Sequence, residues 1–298
     1  MNHNRIKNLR RTLAVFTGLA ATLSASAQVL FTDTLNSSTG AWFQHATNTG
    51  TPATLTHTTA DTTLTGGAMS LTYAGATDST NFSTILGRSF ADTTLATGQT
   101  LRFQFDFHLA SGGATGNSGS VLRFGLYDQA GTTNTISANG FTNYDSATGY
   151  YTFIRNGSGA GNGLRFDNAT GAAPTVTVAA GNFTSLSTNT TNFAWGTTKA
   201  YTAIFDVTDT GAANTITASV FNLGGTNSTA LYSITGTSAA LSSFDGAFIR
   251  LDAVTAQTMN FDNLSVSVLS AVPEPATYAA WMGLGLLGLA AYRRRRRA

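Results

Sequence analysis

The sequence has no cysteine, and among its 298 residues there are four prolines and a single glutamate, Glu274. A chain without cysteine can form neither a disulfide framework nor a thiolate metal site. Charged residues account for only 10% of the chain. Because one glutamate cannot supply two catalytic carboxylates, a retaining glycosidase that works with a glutamate pair is excluded, and an aspartate pair would have to take its place.

Basic residues are scarce between the two ends of the chain. From Gln28 to Ala271, seven lysines and arginines are outnumbered by thirteen aspartates, which gives this region a net charge of about −6. Proteins that bind nucleic acid use clustered lysine and arginine side chains to contact phosphates. This region lacks such clusters, so we expect no nucleic-acid partner.

The N-terminus has the three parts of a secretory signal peptide. Four basic residues and then an apolar run fill residues 5–23, and Ala25 and Ala27 form a small-residue cleavage motif directly after it. An N-terminal membrane anchor is the alternative, but the apolar run is short for one. The sequence therefore predicts a signal peptide at residues 1–27.

The C-terminus combines an apolar segment with a block of arginines. Residues 276–292 carry no charge, and a helix of that length rises roughly 25 Å, slightly less than the ~30 Å hydrocarbon layer. Positive charge after the segment would hold the C-terminus on the cytoplasmic side. We expect a transmembrane helix here, which belongs either to a sorting signal or to an ordinary tail anchor. The arginines that follow it are Arg293, Arg294, Arg295, Arg296 and Arg297.

Pro273, Glu274 and Pro275 precede this helix, and the three features in this order resemble the PEP-CTERM sorting signal of Gram-negative bacteria. The resemblance covers the last 27 residues or so. It implies export, transient retention in the inner membrane, and processing near the Pro-Glu-Pro motif by the membrane enzyme exosortase. It also implies a place at the cell surface or in an exopolysaccharide or biofilm matrix.

The region between the two targeting segments, residues 28–270, predicts an all-β domain. Apolar and polar residues alternate without a break from Leu101 to Leu109, which is typical of a strand with one buried face. No helical period interrupts the region, so we expect antiparallel pairing. Further strands are predicted at Ala68–Tyr73, Val121–Tyr127, Tyr150–Arg155, Tyr201–Val207, Thr215–Phe221, Ala247–Asp252 and Met259–Leu269.

The last of these strands changes phase in its middle. Met259 and Phe261 alternate together, whereas Leu264 and the valines after it are one residue out of step. A bulge or bend at Asp262 and Asn263 would bring both halves onto the same face. With the strand near Phe31, the whole region resembles a concanavalin A-like or laminin-G-like jelly-roll sandwich, an architecture that carbohydrate-binding modules share.

The sequence gives little sign of catalysis. His108 alternates onto the polar face beside Asp106, but neither a metal-binding histidine motif nor a Ser-His-Asp signature accompanies it. No catalytic residue is assigned, and we expect a protein that is not an enzyme. A hydrolase or lyase of concanavalin A-like fold is the alternative.

Two kinds of binding site are predicted instead. Oxygen ligands suit calcium, and Asp33 near the start of the domain could meet Asp262 and Asn263 near its end. A capped bulge without metal is the alternative there. For a glycan, aromatic side chains are candidates, although large aromatics more often pack in a core. These are Trp42, Trp195, Tyr144, Tyr150 and Tyr151.

The sequence thus predicts three parts: a signal peptide at 1–27, a jelly-roll domain at 28–270 and a sorting signal at 271–298. The expected function is that of an exported, non-catalytic glycan-binding or structural component of an extracellular matrix. Its expected partners are the secretion machinery, exosortase, the inner membrane during sorting, and exopolysaccharide.

Overall fold

The structure is a computed structural model that describes the chain in fourteen stretches. They are residues 27–35, 38–46, 53–59, 61–64, 66–73, 82–112, 120–129, 147–157, 162–167, 183–224, 229–239, 241–253, 255–270 and 275–296. Of the predicted site residues, Ala25, Tyr144, Pro273, Glu274 and Arg297 lie outside these stretches. The described residues divide into a β unit, Gln28–Leu269, and a C-terminal helix, each of which is considered by itself.

In the part of the β unit that the structure describes, every regular element is a strand. In chain order they are β1 (Gln28–Asp33), β2 (Phe43–Ala46), β3 (Thr54–Thr58), β4 (Ala68–Tyr73), β5 (Phe82–Thr94), β6 (Thr100–Gly112), β7 (Val121–Asp128), β8 (Thr148–Arg155), β9 (Asn162–Asp167), β10 (Phe183–Asn189), β11 (Ala200–Asp209), β12 (Asn214–Asn222), β13 (Tyr232–Ser238), β14 (Ser243–Ala253) and β15 (Gln257–Leu269). Each strand predicted from the sequence is present.

The strands form two sheets in which neighbouring strands are antiparallel. In the described residues, sheet A has the order β13-β12-β11-β6-β15-β4-β3, with β1 also paired to β15, and sheet B has the order β10-β9-β8-β7-β14-β5-β2. The chain crosses repeatedly between the sheets, for example from β4 in sheet A to β5 in sheet B and back to β6. The prediction of an all-β antiparallel sandwich is confirmed.

The alternation in β6 explains how the sheets pack. Phe103, Phe105 and Phe107 are fully buried on one face of the strand. The ring of Phe105 meets the ring of Phe124 from sheet B edge to face at 5.2 Å, and Phe124 packs in the same way on Phe205 of β11. Edge-to-face aromatic pairs add to the free energy gained by burial. These rings form the centre of the core between the sheets.

Sheet B is covered on both faces. Leu86 of β5 packs into the main core, whereas its neighbour Ile85 points the other way into a second apolar cluster with Tyr151 and Phe248. Two adjacent apolar residues in one strand can both be buried only when both faces of the sheet are covered.

The phase change in β15 is a bulge, as the sequence predicted. The register against β6 shifts between Asp262 and Ser265, and Asn263 adopts a left-handed backbone conformation with φ of 52°. Asparagine tolerates this conformation better than most residues. The bulge lets Met259, Phe261 and Leu264 all reach the core.

The C-terminal helix, α1 (Pro275–Arg295), begins at a proline and ends in arginines. Proline suits the first turn, because its missing N–H would have no helical partner there, and basic side chains interact favourably with the C-terminal end of the helix dipole. Arg293 to Arg296 are exposed. We expected this helix to span a membrane, but among the described residues no helix is both long enough and apolar enough to cross one.

Candidate functional site

A group of buried polar side chains lies on the face of sheet A that points away from the core. Because odd positions of β6 enter the core, Asp106 and His108 project from the opposite face. In the neighbouring β15, Asn260 pairs with His108 and Asp262 with Asp106. Asp61, between β3 and β4, completes the group. We call these five residues the acidic cluster; each is at most 8% exposed.

Asp61 is the most fully hydrogen-bonded member of the cluster. Its Oδ2 lies 2.8 Å from Nδ1 of His108 and accepts a bond of 2.6 Å from Nδ2 of Asn260. Its Oδ1 accepts bonds from the amides of Thr63 and Leu64. Burial alone would raise the pKa of Asp61, but these hydrogen bonds to the carboxylate outweigh it and lower the pKa below the ordinary value of 3.8.

Both ring nitrogens of His108 face oxygen atoms. While Nδ1 meets Asp61, Nε2 lies 3.1 Å from the carbonyl oxygen of Thr197. The contacts of His108 therefore tie the segment at Asp61 and the segment before β11 to the face of β6.

Asp106 and Asp262 form the other half of the cluster. The carboxylate of Asp106 accepts hydrogen bonds from Thr202 (2.6 Å) and from the side chain of Asn263 (2.9 Å). The backbone N–H of Asn263 donates to Asp262 Oδ1 at 2.7 Å. Burial and, after it, the charges of Asp106 and Asp61 together raise the pKa of Asp262 to about 6. Asp262 can therefore exchange a proton near neutral pH, although it is only 1% exposed.

The predicted calcium site does not form as one ligand set. Asp33 pairs with Leu264 along the strand β1, which confirms that the two ends of the domain are neighbours. Its carboxylate, however, forms an ion pair with Arg88 and accepts a bond from Trp42 Nε1. A carboxylate that neutralises a guanidinium is a poor ligand for a cation, so these donors do not fit the ion. Within the described stretches, no group of three His, Asp or Glu side chains could hold a metal.

The predicted aromatic platforms are core residues. Trp195 and Tyr150 are fully buried, and Trp42 and Tyr151 are 2% and 3% exposed. Trp42 stacks on Phe103, and Tyr150 donates a hydrogen bond of 2.7 Å to the carbonyl of Ala239. A ring without an exposed face cannot stack on a sugar, so the structure corrects this prediction for these four residues.

Sheet B carries a buried ionic group on its outer face. Asp252 accepts hydrogen bonds from Arg123 through one carboxylate oxygen and from Arg250 through the other, and all three side chains are less than a tenth exposed. Arg250 and Arg123 are register partners in β14 and β7. Removing one member of such a group would leave a buried charge uncompensated, so we assign it a structural role.

A more open polar surface covers the end of sheet A. Alternate residues of β12 and β13 point outwards and carry hydroxyl groups in register. Thr217 is bonded to Thr235 and Ser219 to Ser233, each at 3.1 Å between oxygens. We call this array the hydroxyl grid. Its members are Thr215, Thr217, Ser219, Ser233, Thr235 and Thr237, all half-buried or exposed.

Sequence reasoning missed both groupings. The position of His108 beside Asp106 was visible, but Asp61 and Asn260 join them only through the fold, 47 and 152 residues away from His108 along the chain. The hydroxyl grid did leave a signal: alternate hydroxyl residues occur in both strands. It becomes a surface only through the β12–β13 register, which the sequence alone does not give.

Comparison with known proteins identifies the C-terminal tail. The family described as the PEP-CTERM protein-sorting motif matches residues 271–297. The chain therefore carries this motif, as its Pro-Glu-Pro sequence, helix and arginines predicted. No curated protein matches the chain.

Several solved structures resemble this chain at low sequence identity. Basic winged bean lectin is 8% identical, covers 82% of this chain and 98% of its own, and has a TM-score of 0.46. An endo-1,3-beta-glucanase from Streptomyces sioyaensis is 13% identical; the match covers 83% of this chain and 98% of the glucanase chain, with a TM-score of 0.43. The carbohydrate recognition domain of Emp46p, in its potassium-bound form, is 11% identical; the match covers 82% of this chain and 97% of that domain, with a TM-score of 0.43. At these values no ligand or activity is carried over to this chain.

Proposed function

We propose that this protein is exported, sorted through its C-terminal tail, and placed at the cell surface or in the polysaccharide matrix as a non-catalytic glycan-binding or structural component. The observation that carries the proposal is the PEP-CTERM motif at residues 271–297, joined to an all-β unit. Such a tail serves sorting, so the β unit performs its work outside the cytoplasm.

The tail would act in three steps. After export through the signal peptide, the apolar part of α1 would hold the chain in the inner membrane, with Arg293 to Arg297 on the cytoplasmic side. Exosortase would then recognise Pro273, Glu274 and Pro275 and process the chain near them. The released β unit would remain outside the inner membrane of a Gram-negative cell.

The contacts of the carboxylates support a non-catalytic role. Three aspartates form ion pairs with arginines: Asp33, Asp206 and Asp252. Asp61 and Asp106 have hydrogen-bond donors on both of their oxygens. A general acid or base must instead reach a substrate proton.

One observation favours the alternative, a polysaccharide hydrolase or lyase. Asp262 and Asp106 are paired carboxylates, and a pKa of about 6 would suit Asp262 as a general acid. Both side chains are buried, so neither presents an open face to a sugar ring. Release of new reducing ends from a polysaccharide, abolished by Asp262→Asn, would establish the enzymatic alternative.

Replacement of Pro273, Glu274 and Pro275 by alanine tests the sorting proposal. In the source bacterium we expect normal export and signal-peptide removal, but retention of the unprocessed chain in the inner membrane. The control variant replaces Ala276 by serine and both Thr277 and Tyr278 by alanine. It changes the residues that adjoin the motif and leaves the motif intact. Unchanged processing of the first variant would refute recognition by exosortase.

A further inference from the structure

We propose that the hydroxyl grid, together with the apolar residues at its end, is the surface on which this protein binds a neutral polysaccharide chain. This inference rests on the proposed glycan-binding function and assigns it to the outer face of β12 and β13. The surface is distinct from the aromatic residues that the sequence suggested, because those rings are buried in the core.

The grid has a regular geometry. Outward residues within one strand are separated by about 7 Å and neighbouring strands by about 4.8 Å, so the six hydroxyls form two parallel rows of three. Ser219 faces Ser233, Thr217 faces Thr235 and Thr215 faces Thr237. β13 is the last strand of sheet A among the described residues, and Asn189 of β10 donates to the carbonyl of Ser233, so an extended chain would approach the grid from its outer face.

The hydroxyls keep bonding capacity although some of them already bond to each other. A hydroxyl group offers one donor and two acceptor positions, and the Thr217–Thr235 and Ser219–Ser233 contacts use one proton per pair. Each pair can therefore still donate one hydrogen bond and accept several. Sugar hydroxyls, which also donate and accept, match this surface.

Apolar side chains adjoin the grid at one end. Leu223 and Leu231 are each 36% exposed, and half-buried Phe221 occupies the next outward position of β12 after Ser219. The amide of Leu231 donates to the carbonyl of Val220, which places Leu231 beside the end of β12. A sugar ring has an apolar C–H face as well as polar rims, so a glycan could contact both parts of the surface.

The charges on this face favour a neutral glycan. Asp206 is the register partner of Thr217, and Arg102 that of Asp206. These two side chains form a bidentate pair with both hydrogen bonds at 2.8 Å. Because the guanidinium is already engaged by a carboxylate, the grid provides little attraction for the carboxylates of an acidic polysaccharide.

The test uses the full-length protein purified in detergent, titrated with dextran, a soluble β-1,3-glucan and a galactomannan as neutral probes and with alginate as the acidic one. Thr217→Val with Thr235→Val removes two hydroxyls and keeps the branched shape, so the sheet should remain folded. We expect at least about tenfold weaker binding of the neutral probe, the loss typical of one to two net hydrogen bonds. Leu231→Ser should also weaken it.

Thr54→Val with Thr56→Val on β3 is the matched control, because those threonines are exposed at the opposite edge of sheet A. This variant should bind within about twofold of the wild type. If the wild type binds but the Thr217 and Leu231 variants bind equally well, the assigned surface is wrong and the glycan-binding function stands. Binding of alginate alone would likewise overturn the inference. If the wild type binds none of the four polymers, the glycan-binding function itself fails.

Discussion

Asp262 lies directly opposite Asp106 in the antiparallel pair of β15 and β6, and both carboxylates are buried. Two like charges in this position destabilise the folded state unless one of them takes up a proton. The bulge reduces this repulsion, because the side chain of Asn263 donates a hydrogen bond to Asp106 and the backbone N–H of Asn263 donates one to Asp262.

The first prediction concerns pH. The pKa of Asp262 is about 6 in the folded protein, above the ordinary value of 3.8, so the folded state binds a proton more tightly than the unfolded state. The free energy of unfolding should therefore fall as pH rises between about 4 and 6, by about 2 kcal/mol for this group. Urea unfolding of wild type and Asp262→Asn across this range measures the contribution as the difference between the two curves.

The charged and titratable groups near Asp262 are Asp106, Asp61 and His108. Asp61 has the opposite sign, because its lowered pKa contributes stability above pH 3.8 that is lost only at lower pH. The Asp61→Asn variant is thus the control: it should reduce the fall between pH 4 and 6 without abolishing it, because burial is the largest cause of the raised pKa of Asp262 and the charge of Asp61 is a smaller one. Parallel curves for wild type and Asp262→Asn over that range would contradict the assignment.

The second prediction concerns the bulge. Asn263→Ala should destabilise the protein by about 2 to 3 kcal/mol, since it places alanine in a left-handed conformation and removes the bond to buried Asp106. Asn263→Gly should cost less, because glycine adopts this conformation freely. Chemical denaturation of both variants tests this order, and an equal loss would show that the backbone conformation contributes nothing.

The third prediction concerns a buried tryptophan. Trp195 is fully buried and packs edge to face on Phe107, so Trp195→Ala should cost about 3 to 5 kcal/mol. Trp195→Phe should cost less, because it keeps most of the packing and removes an indole N–H without a hydrogen-bond partner. A sugar-stacking role would instead give little change in stability and a loss of binding, which thermal unfolding and titration distinguish.

The fourth prediction concerns close backbone approach in sheet B. A Cβ atom at Gly125 would lie 2.0 Å from the carbonyl oxygen of Tyr150, so Gly125→Ala must displace the β7–β8 pair. At Gly246 the nearest atom to an added Cβ is the end of the Gln129 side chain, at 2.9 Å. Gly246→Ala is therefore a control of the same chemistry, and we expect its melting temperature to lie several degrees above that of Gly125→Ala.

The sequence predicted those strands in which one face is apolar and the other is polar. The alternation from Leu101 to Leu109 located β6, and the phase change after Phe261 located the bulge in β15. β5 was missed, although it is 13 residues long. Its adjacent Ile85 and Leu86 are buried on opposite faces, and a strand covered on both sides has no alternating pattern.

The candidate sites were harder to predict, because they depend on which strands become neighbours. Asp262 and Asn263 were singled out, and they do lie at a structured polar bulge, but with Asp106 and Asp61 and not with Asp33. Trp42 and Trp195 were offered for sugar binding since their rings are large, and the same size drives them into the core. The sorting motif was predictable because its Pro-Glu-Pro sequence, apolar segment and arginines are contiguous in sequence.

The most direct test of the proposed role is calorimetric titration of the full-length protein, in detergent, with exopolysaccharide from the source bacterium, with and without calcium. We predict saturable heat of equal size in both conditions, since the carboxylate of Asp33, one of the predicted calcium ligands, is already engaged by Arg88 and Trp42. Absence of heat in both conditions would contradict glycan binding and leave a structural role for the β unit. Heat that appears only with calcium would show that the ion takes part in binding through ligands other than that set.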